Sequence, residues 1–319
     1  MCGKGAILTV RSAFCFSLRL DAARPAASRR DFHGVSDPVP ARRRLGPPAP
    51  VGAVSSRFRA LVLCYHAVSD SWPDQLAVPS RLLEEHLTSL LRRGYRGVGA
   101  DEALAGRARS LHVTFDDAYK NVDVGLAVLE RLRIPSTVFA CSGYAEDGRP
   151  LDVPELAEEA LAYPEEMATM NWEELRGLAE RGVEIGSHTV THPHLTRLTD
   201  SELSRELQDS RARIEDELGR PCPLLAYPYG ENDDRVREAA RRAGYTAAFA
   251  LRETFAPADP FALPRVDLYR KDTPLRARLK TSLVPRVPPG ATKLVPGRRR
   301  KRPGTEDGSR SEPDSGDPG

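Results

Sequence analysis

Residues 111–141 read LHVTFDDAYKNVDVGLAVLERLRIPSTVFAC. Leu111–Phe115 is a short strand-like run. Val122–Leu132 carries apolar residues at helical spacing, and Pro135 closes that segment. Ser136–Cys141 is strand-like again. A strand, a helix and a strand in this order make one parallel βα unit. Two adjacent carboxylates, Asp116 and Asp117, stand where the first strand ends.

The same alternation continues on both sides. Upstream, Arg59–Tyr65 is an apolar run, and Arg81–Arg93 carries leucines at 82, 83, 87, 90 and 91 before Gly94. Downstream, the helix Trp172–Arg181 leads through Gly182 to the strand Val183–Gly186. Thr199-Asp200-Ser201-Glu202 is a capping box that opens a helix with Leu203, Leu207, Ile214 and Leu218 on one face. Leu224–Ala226, the helix Asp233–Ala243, the strand Thr246–Leu251 and the strand Leu263–Leu268 complete the series. About seven repeats of this kind predict an α/β fold, an irregular (β/α) barrel of about seven parallel strands. A doubly wound open sheet is the structural alternative. It loses support because Cys64-Tyr65-His66-Ala67, and no glycine-rich phosphate loop, follows the first strand.

The chain has 319 residues, 40% of them hydrophobic, and a formal net charge of +2. That balance averages basic flanks with an acidic middle, a poor surface for nucleic acid, so no nucleic-acid partner is expected. No apolar run is long enough for a transmembrane segment. Residues 1–57 read as a disordered basic extension. Arginines interrupt its apolar stretch, so it makes a weak signal peptide, and its composition also suits a transit peptide. Residues 58–272 read as the barrel and 273–319 as a disordered Pro/Gly/Arg-rich tail with an RRRKR cluster. The five cysteines form no CxxC pair and read as small buried residues. With no clear leader, they point to a cytoplasmic location.

In a βα barrel the active site lies at the C-terminal ends of the strands. There the sequence places His66, then Asp116 and Asp117, then His188 and His192, then Tyr227-Pro228-Tyr229-Gly230. His188 and His192 belong to IGSHTVTHPHL (185–195), where no Glu intervenes and Pro193 follows, so this is a turn and not a zincin helix. Two neutral imidazoles and one carboxylate would leave open positions on a catalytic metal. Two histidines hydrogen-bonded within a loop are the plainer alternative. Of the adjacent acids, one can bind a metal while the other takes a proton from water; a helix-capping pair is the plainer alternative. His194 has no matching partner and reads as a packing or capping residue.

TFDDAY (114–119), SHTVTH (187–192) and YPYG (227–230), in this order, resemble the polysaccharide deacetylase family, carbohydrate esterase family 4. The resemblance runs from about Arg59 to Leu268. It implies an irregular (β/α) barrel and a hydrolase that removes acetyl groups from the N-acetylated sugars of a polysaccharide or glycan. An O-acetyl esterase and a non-catalytic carbohydrate-binding relic are the alternatives. It further implies one divalent metal, zinc first with cobalt or nickel as alternatives, held by Asp117, His188 and His192. Asp116 becomes the general base, and the Tyr229 backbone N–H an oxyanion donor. Three departures stand out. Ala118 replaces the Gly of the family's DDG. Ala226 replaces an Arg that steadies the base, and Arg265 in LPRVDL is the candidate substitute, with a structural Arg–Asp pair as its other reading. The late LxxH that carries the general acid is missing. Leu63-Cys64-Tyr65-His66 supplies an LxxH at the first strand, and the YHxV opening resembles a circularly permuted branch of the family. His66 is then the implied acid.

Overall fold

The computed structural model describes residues 60–251 and 259–282. The basic extension 1–57 and the RRRKR cluster lie outside them, as do Cys2 and Cys15. Eight strands form one parallel sheet: β1 (Leu61–Tyr65), β2 (Arg96–Gly97), β3 (Ser110–Phe115), β4 (Ser136–Ala140), β5 (Glu184–Ser187), β6 (Leu224–Ala226), β7 (Ala247–Leu251) and β8 (Leu263–Asp267). The helices between them are α1 (Ser80–Arg92), α2 (Ala100–Leu104), α3 (Val122–Leu132), α4 (Ala157–Ala162), α5 (Trp172–Glu180), α6 (Asp200–Leu218) and α7 (Asp234–Arg242), with α8 (Pro274–Ser282) last.

β1 pairs with β3 along its whole length, Leu61 opposite Leu111 through Tyr65 opposite Phe115. It also pairs with β8, Leu63 opposite Val266 and Cys64 opposite Asp267. Both edges of β1 are therefore used, and β1 with β3–β8 closes a seven-stranded ring. Closure excludes the doubly wound sheet, whose terminal strands would stay unpaired. β2 is an appendage on the start of β3, Arg96 opposite Ser110.

Alternate residues of each strand face opposite sides. Val62, Phe139, Leu224, Phe249 and Leu263 form the interior cluster, joined by Ala100 and Leu104 of α2. Their neighbours in sequence, such as Leu61, Leu63, Val113, Val138 and Leu225, pack outward under the helices. With both faces buried, the strands read as continuous apolar runs.

The helix boundaries follow local chemistry. Thr199 caps α6 in the expected box with Glu202, and Gly219 ends it in the left-handed region. Asn171 and Glu174 form a second box at α5. Cys64, Cys141 and Cys222 are all buried free thiols.

One boundary differs from the sequence reading. The tail was expected to begin at 273, yet α8 occupies Pro274–Ser282. Its buried Ala277 and Thr281 pack on α1. Arg93 donates to Thr281 Oγ1 at 3.0 Å, and Lys280 donates to buried Asp272 at 2.6 Å. Two small buried positions among basic ones give no apolar stripe to read. Among the described residues no helix is long and apolar enough to cross a membrane.

Candidate active site

The strand ends deliver the side chains. Tyr65 O accepts from Asp116 N, and Ala140 O accepts from His188 N, so the parallel ladder runs one residue past β3 and β5 and fixes where those two residues start. Beyond them the backbone bends sharply. Asp117, Ala118, Thr189, His192 and Tyr229 all have φ between 52° and 71°. Non-glycine residues in this region carry strain that persists only where the surroundings impose it, commonly at functional sites. Gly230, at φ 70°, could not be replaced without shift, because a Cβ there would lie 2.4 Å from Leu251.

Asp117, His188 and His192 converge, each at least nine-tenths buried. Asp117 Oδ1 lies 3.5 Å from His188 Nε2 and 3.4 Å from His192 Nε2. His188 Nδ1 lies 2.8 Å from Ala226 O, a carbonyl that can only accept. Its proton therefore sits on Nδ1, and its Nε2 lone pair points inward. Burial lowers the pKa of His188 to about 4 and that of His192 well below the usual value, keeping both neutral. Asp117 Oδ1 is buried and has no hydrogen-bond partner among the described residues. Burial, reinforced by the Asp116 charge, pushes its carboxyl up to about 8. Two neutral imidazoles and a protonated carboxyl group converge on one point, and a divalent cation that displaced the Asp117 proton would take up all three lone pairs. The residues fit a metal.

Asp116 is set apart from that triad by its partner. Arg265, in β8, donates from one guanidinium nitrogen to Oδ1 at 2.6 Å and from the other to Oδ2 at 2.7 Å. The first nitrogen also donates to Thr114 Oγ1 at 3.1 Å. Burial alone would raise the Asp116 pKa, but Arg265, with His188 next, holds it well below the usual carboxylate range. Asp116 is therefore a fixed carboxylate, 4.0 Å from His188 Nε2 through its Oδ2. Arg265 reaches Asp116 from a different strand than the one carrying Ala226. The closed ring permits this, since β8 and β3 flank β1 on either side.

His66 follows β1 and is partly exposed. Donor atoms of Cys64, His66 and Asp116 all lie within 4.8 Å of one another. Burial lowers the pKa of His66, opposed by the Asp116 charge. The structure thus brings together all seven residues singled out in the sequence: His66, Asp116, Asp117, His188, His192, Tyr229 and Arg265.

His194 packs, as its sequence suggested, but against partners that the sequence did not show. Its ring stacks on Tyr229, centroids 3.9 Å apart at 9°. Nδ1 lies 3.0 Å from Glu231, and Nε2 3.1 Å from Glu155. Tyr229 donates its hydroxyl to Glu155 at 3.0 Å. Glu155 lies far from His194 in sequence, so no local pattern announces this network.

A family model described as polysaccharide deacetylase matches residues 104–248. This stretch of the chain belongs to the polysaccharide deacetylase family. Membership places it among hydrolytic carbohydrate deacetylases. The chain is 24% identical over 215 residues to YxkH of Bacillus subtilis (strain 168), a protein named for polysaccharide deacetylases, covering 64% of this chain and 70% of that one. It is 27% identical over 209 residues to a chitooligosaccharide deacetylase of Bradyrhizobium sp. (strain ANU 289), covering 64% and 75%. Its fold matches that of the Streptococcus pyogenes deacetylase PplD, solved in complex with acetate. The TM-score is 0.57 at 20% identity, over 70% of this chain and 98% of that one. In this chain the stretch matched by the family model contains the candidate metal ligands Asp117, His188 and His192, and Asp116. His66 and Arg265 lie outside it, one on each side.

Proposed function

We propose that this chain is a metal-dependent deacetylase that hydrolyses the N-acetyl groups of amino sugars in a polysaccharide or glycan. One observation carries the reading: a neutral Asp-His-His donor set stands beside a second carboxylate that Arg265 keeps ionised. The name of the Bradyrhizobium relative supports an N-acetylated oligosaccharide as the substrate class. Asp117, His188 and His192 would hold the ion, with zinc first among the candidates and cobalt or nickel as alternatives. When bound, the ion supplies Lewis acidity to the acetyl carbonyl and to the attacking water.

The chain's own residues do the rest. Asp116, locked in orientation by two hydrogen bonds, accepts a proton from water as the water adds to the carbonyl carbon. The Tyr229 backbone N–H, held in a left-handed turn, supports the oxyanion. His66 returns a proton to the nitrogen as the C–N bond breaks, leaving acetate and a free amine. This assignment treats the chain as a circularly permuted family member. The position of β1 between β8 and β3, and a family match that begins after it, support that treatment.

The test measures metal content and acetate release together, on chito-oligosaccharide, for wild type, Asp116→Asn and His188→Ala. Wild type should hold one ion per chain. Asp116→Asn should keep the ion and lose roughly a hundredfold or more of turnover. His188→Ala should lose both. A wild type that binds no ion after incubation with zinc, cobalt or nickel, or an Asp116→Asn with full activity, overturns the reading.

A further inference from the structure

Next to the metal triad lies a second donor set that the proposed reaction uses only in part. Cys64, on the interior face of β1, has its Sγ 3.4 Å from Asp116 Oδ2. With His66 it forms a Cys-His-Asp group whose donor atoms lie within 4.8 Å of one another. We propose that Cys64, His66 and Asp116 form a second, thiolate-dependent site for a soft divalent cation, and that filling it inhibits the enzyme.

The donor types come first. A thiolate, an imidazole and a carboxylate together favour zinc-like and softer ions over magnesium or calcium. Separation comes next. Bonds of roughly 2.0–2.3 Å in a tetrahedral arrangement put donor atoms roughly 3.3–3.8 Å apart. Sγ and Oδ2 already meet that. The imidazole has to close the remaining gap, and His66 is the partly exposed member of the three, at the open end of the strand.

Charge is the third consideration. Arg265 already binds both oxygens of Asp116, and a second cation beside a guanidinium needs more negative charge than one carboxylate. Two groups provide it. Cys64 exchanges its S–H proton for the ion, so that an S–metal bond forms, the S–H bond breaks and the proton passes to solvent. Asp267, opposite Cys64 in the β1–β8 register, has a buried Oδ1 with no hydrogen-bond partner among the described residues. The S–H that now points at Asp116 Oδ2 marks the lone pair that the ion would take.

The inhibitory consequence rests on the proposed function, because the ion would occupy the base and the acid at once. The site itself does not. The experiment therefore reads binding first. Apo full-length wild type, Cys64→Ser and His188→Ala are titrated with cadmium by equilibrium dialysis, with thiolate-to-cadmium charge-transfer absorbance followed in parallel. The chain has five cysteines, so the readout is the difference between wild type and Cys64→Ser. Wild type should bind one equivalent more than Cys64→Ser, and the absorbance of that equivalent should be absent in the variant. His188→Ala should lose the first equivalent and keep the thiolate one, which separates this site from the triad. In zinc-loaded enzyme, added cadmium should depress acetate release. Cys64→Ser should move that inhibition to cadmium concentrations roughly tenfold or more higher. Equal cadmium stoichiometry and equal thiolate absorbance in wild type and Cys64→Ser overturn the proposal, whatever the triad binds. A Cys64→Ser that retains the first equivalent shows that the variant has folded.

Discussion

Replacing Arg265 with Met tests the buried pair at the centre of the site. Met has similar length, so the change removes charge without opening a large cavity. Arg265 and Asp116 are 0% and 4% exposed at their side chains. Two charge-assisted hydrogen bonds to Asp116, at 2.6 and 2.7 Å, and a third to Thr114 disappear, and a carboxylate is left buried with no guanidinium. Removing one partner of a buried pair costs about 3–5 kcal/mol. In a domain of this size each kcal/mol moves Tm by about 2–4 °C, so Tm should fall by roughly 6–20 °C. Arg265→Met, Asp116→Asn and the double variant form a thermodynamic cycle, read by urea and thermal unfolding of the metal-free protein. Asp116→Asn removes the charge that Arg265→Met strands, so the double variant should recover at least about 2 kcal/mol relative to the sum of the singles. A cost below about 1 kcal/mol for Arg265→Met, or additivity within about 0.5 kcal/mol, would show that the pair does not hold the site.

Three further outcomes follow from other residues. Ala118 sits at φ 52°. Ala118→Gly relieves up to about 1 kcal/mol of strain against a similar loss to unfolded-chain entropy, while Ala118→Val should cost well over 1 kcal/mol; calorimetry in which Val is tolerated as well as Gly refutes the strain. Burial, reinforced by Asp101, pushes Glu184 up to about 7. The folded state then holds a proton that the unfolded state has released, so this group's contribution to stability is fully present below about pH 4 and is lost as pH rises towards 7. Glu184→Gln should remove that fall, gaining at most about 3 kcal/mol at pH 8 over pH 4 and less for its partial exposure, and an equal gain at both pH values refutes it. His194→Ala removes the stack on Tyr229 and unlinks Glu155 from Glu231. An aromatic pair is worth about 0.5–1.5 kcal/mol, so Tm should fall by roughly 1–6 °C, and an unchanged Tm in thermal unfolding would show that the stack does not hold this turn.

The barrel was legible because its strands are buried on both faces and read as unbroken apolar runs between helical stripes. The convergence of Asp117, His188 and His192 was legible because chemistry-bearing residues follow the strands, and strand ends are where a barrel gathers them; the choice of Asp117 over Asp116 as candidate ligand came from the family resemblance. Arg265 was found by asking what replaces the Arg missing at Ala226. The short helices α2 and α4 escaped notice because five or six residues carry no periodicity, and α8 because its buried positions are Ala277 and Thr281. His194 and Cys64 escaped for a different reason. Each looks ordinary within its own segment and gains meaning only from partners far away in sequence.

The ring closure has a consequence for biosynthesis. Asp116 leaves the ribosome 149 residues before Arg265 does. At about 5–20 residues per second that is roughly 7–30 s of waiting. During that interval Asp117, His188, His192 and the strands around them already exist as sequence, while Asp116 has no guanidinium to hold it and β1 has one free edge. The buried pair at the centre of the site thus forms only when the last strand docks. A cell that stalls or clips the chain before β8 makes a protein with all three candidate metal ligands and an Asp116 that nothing in β8 orients.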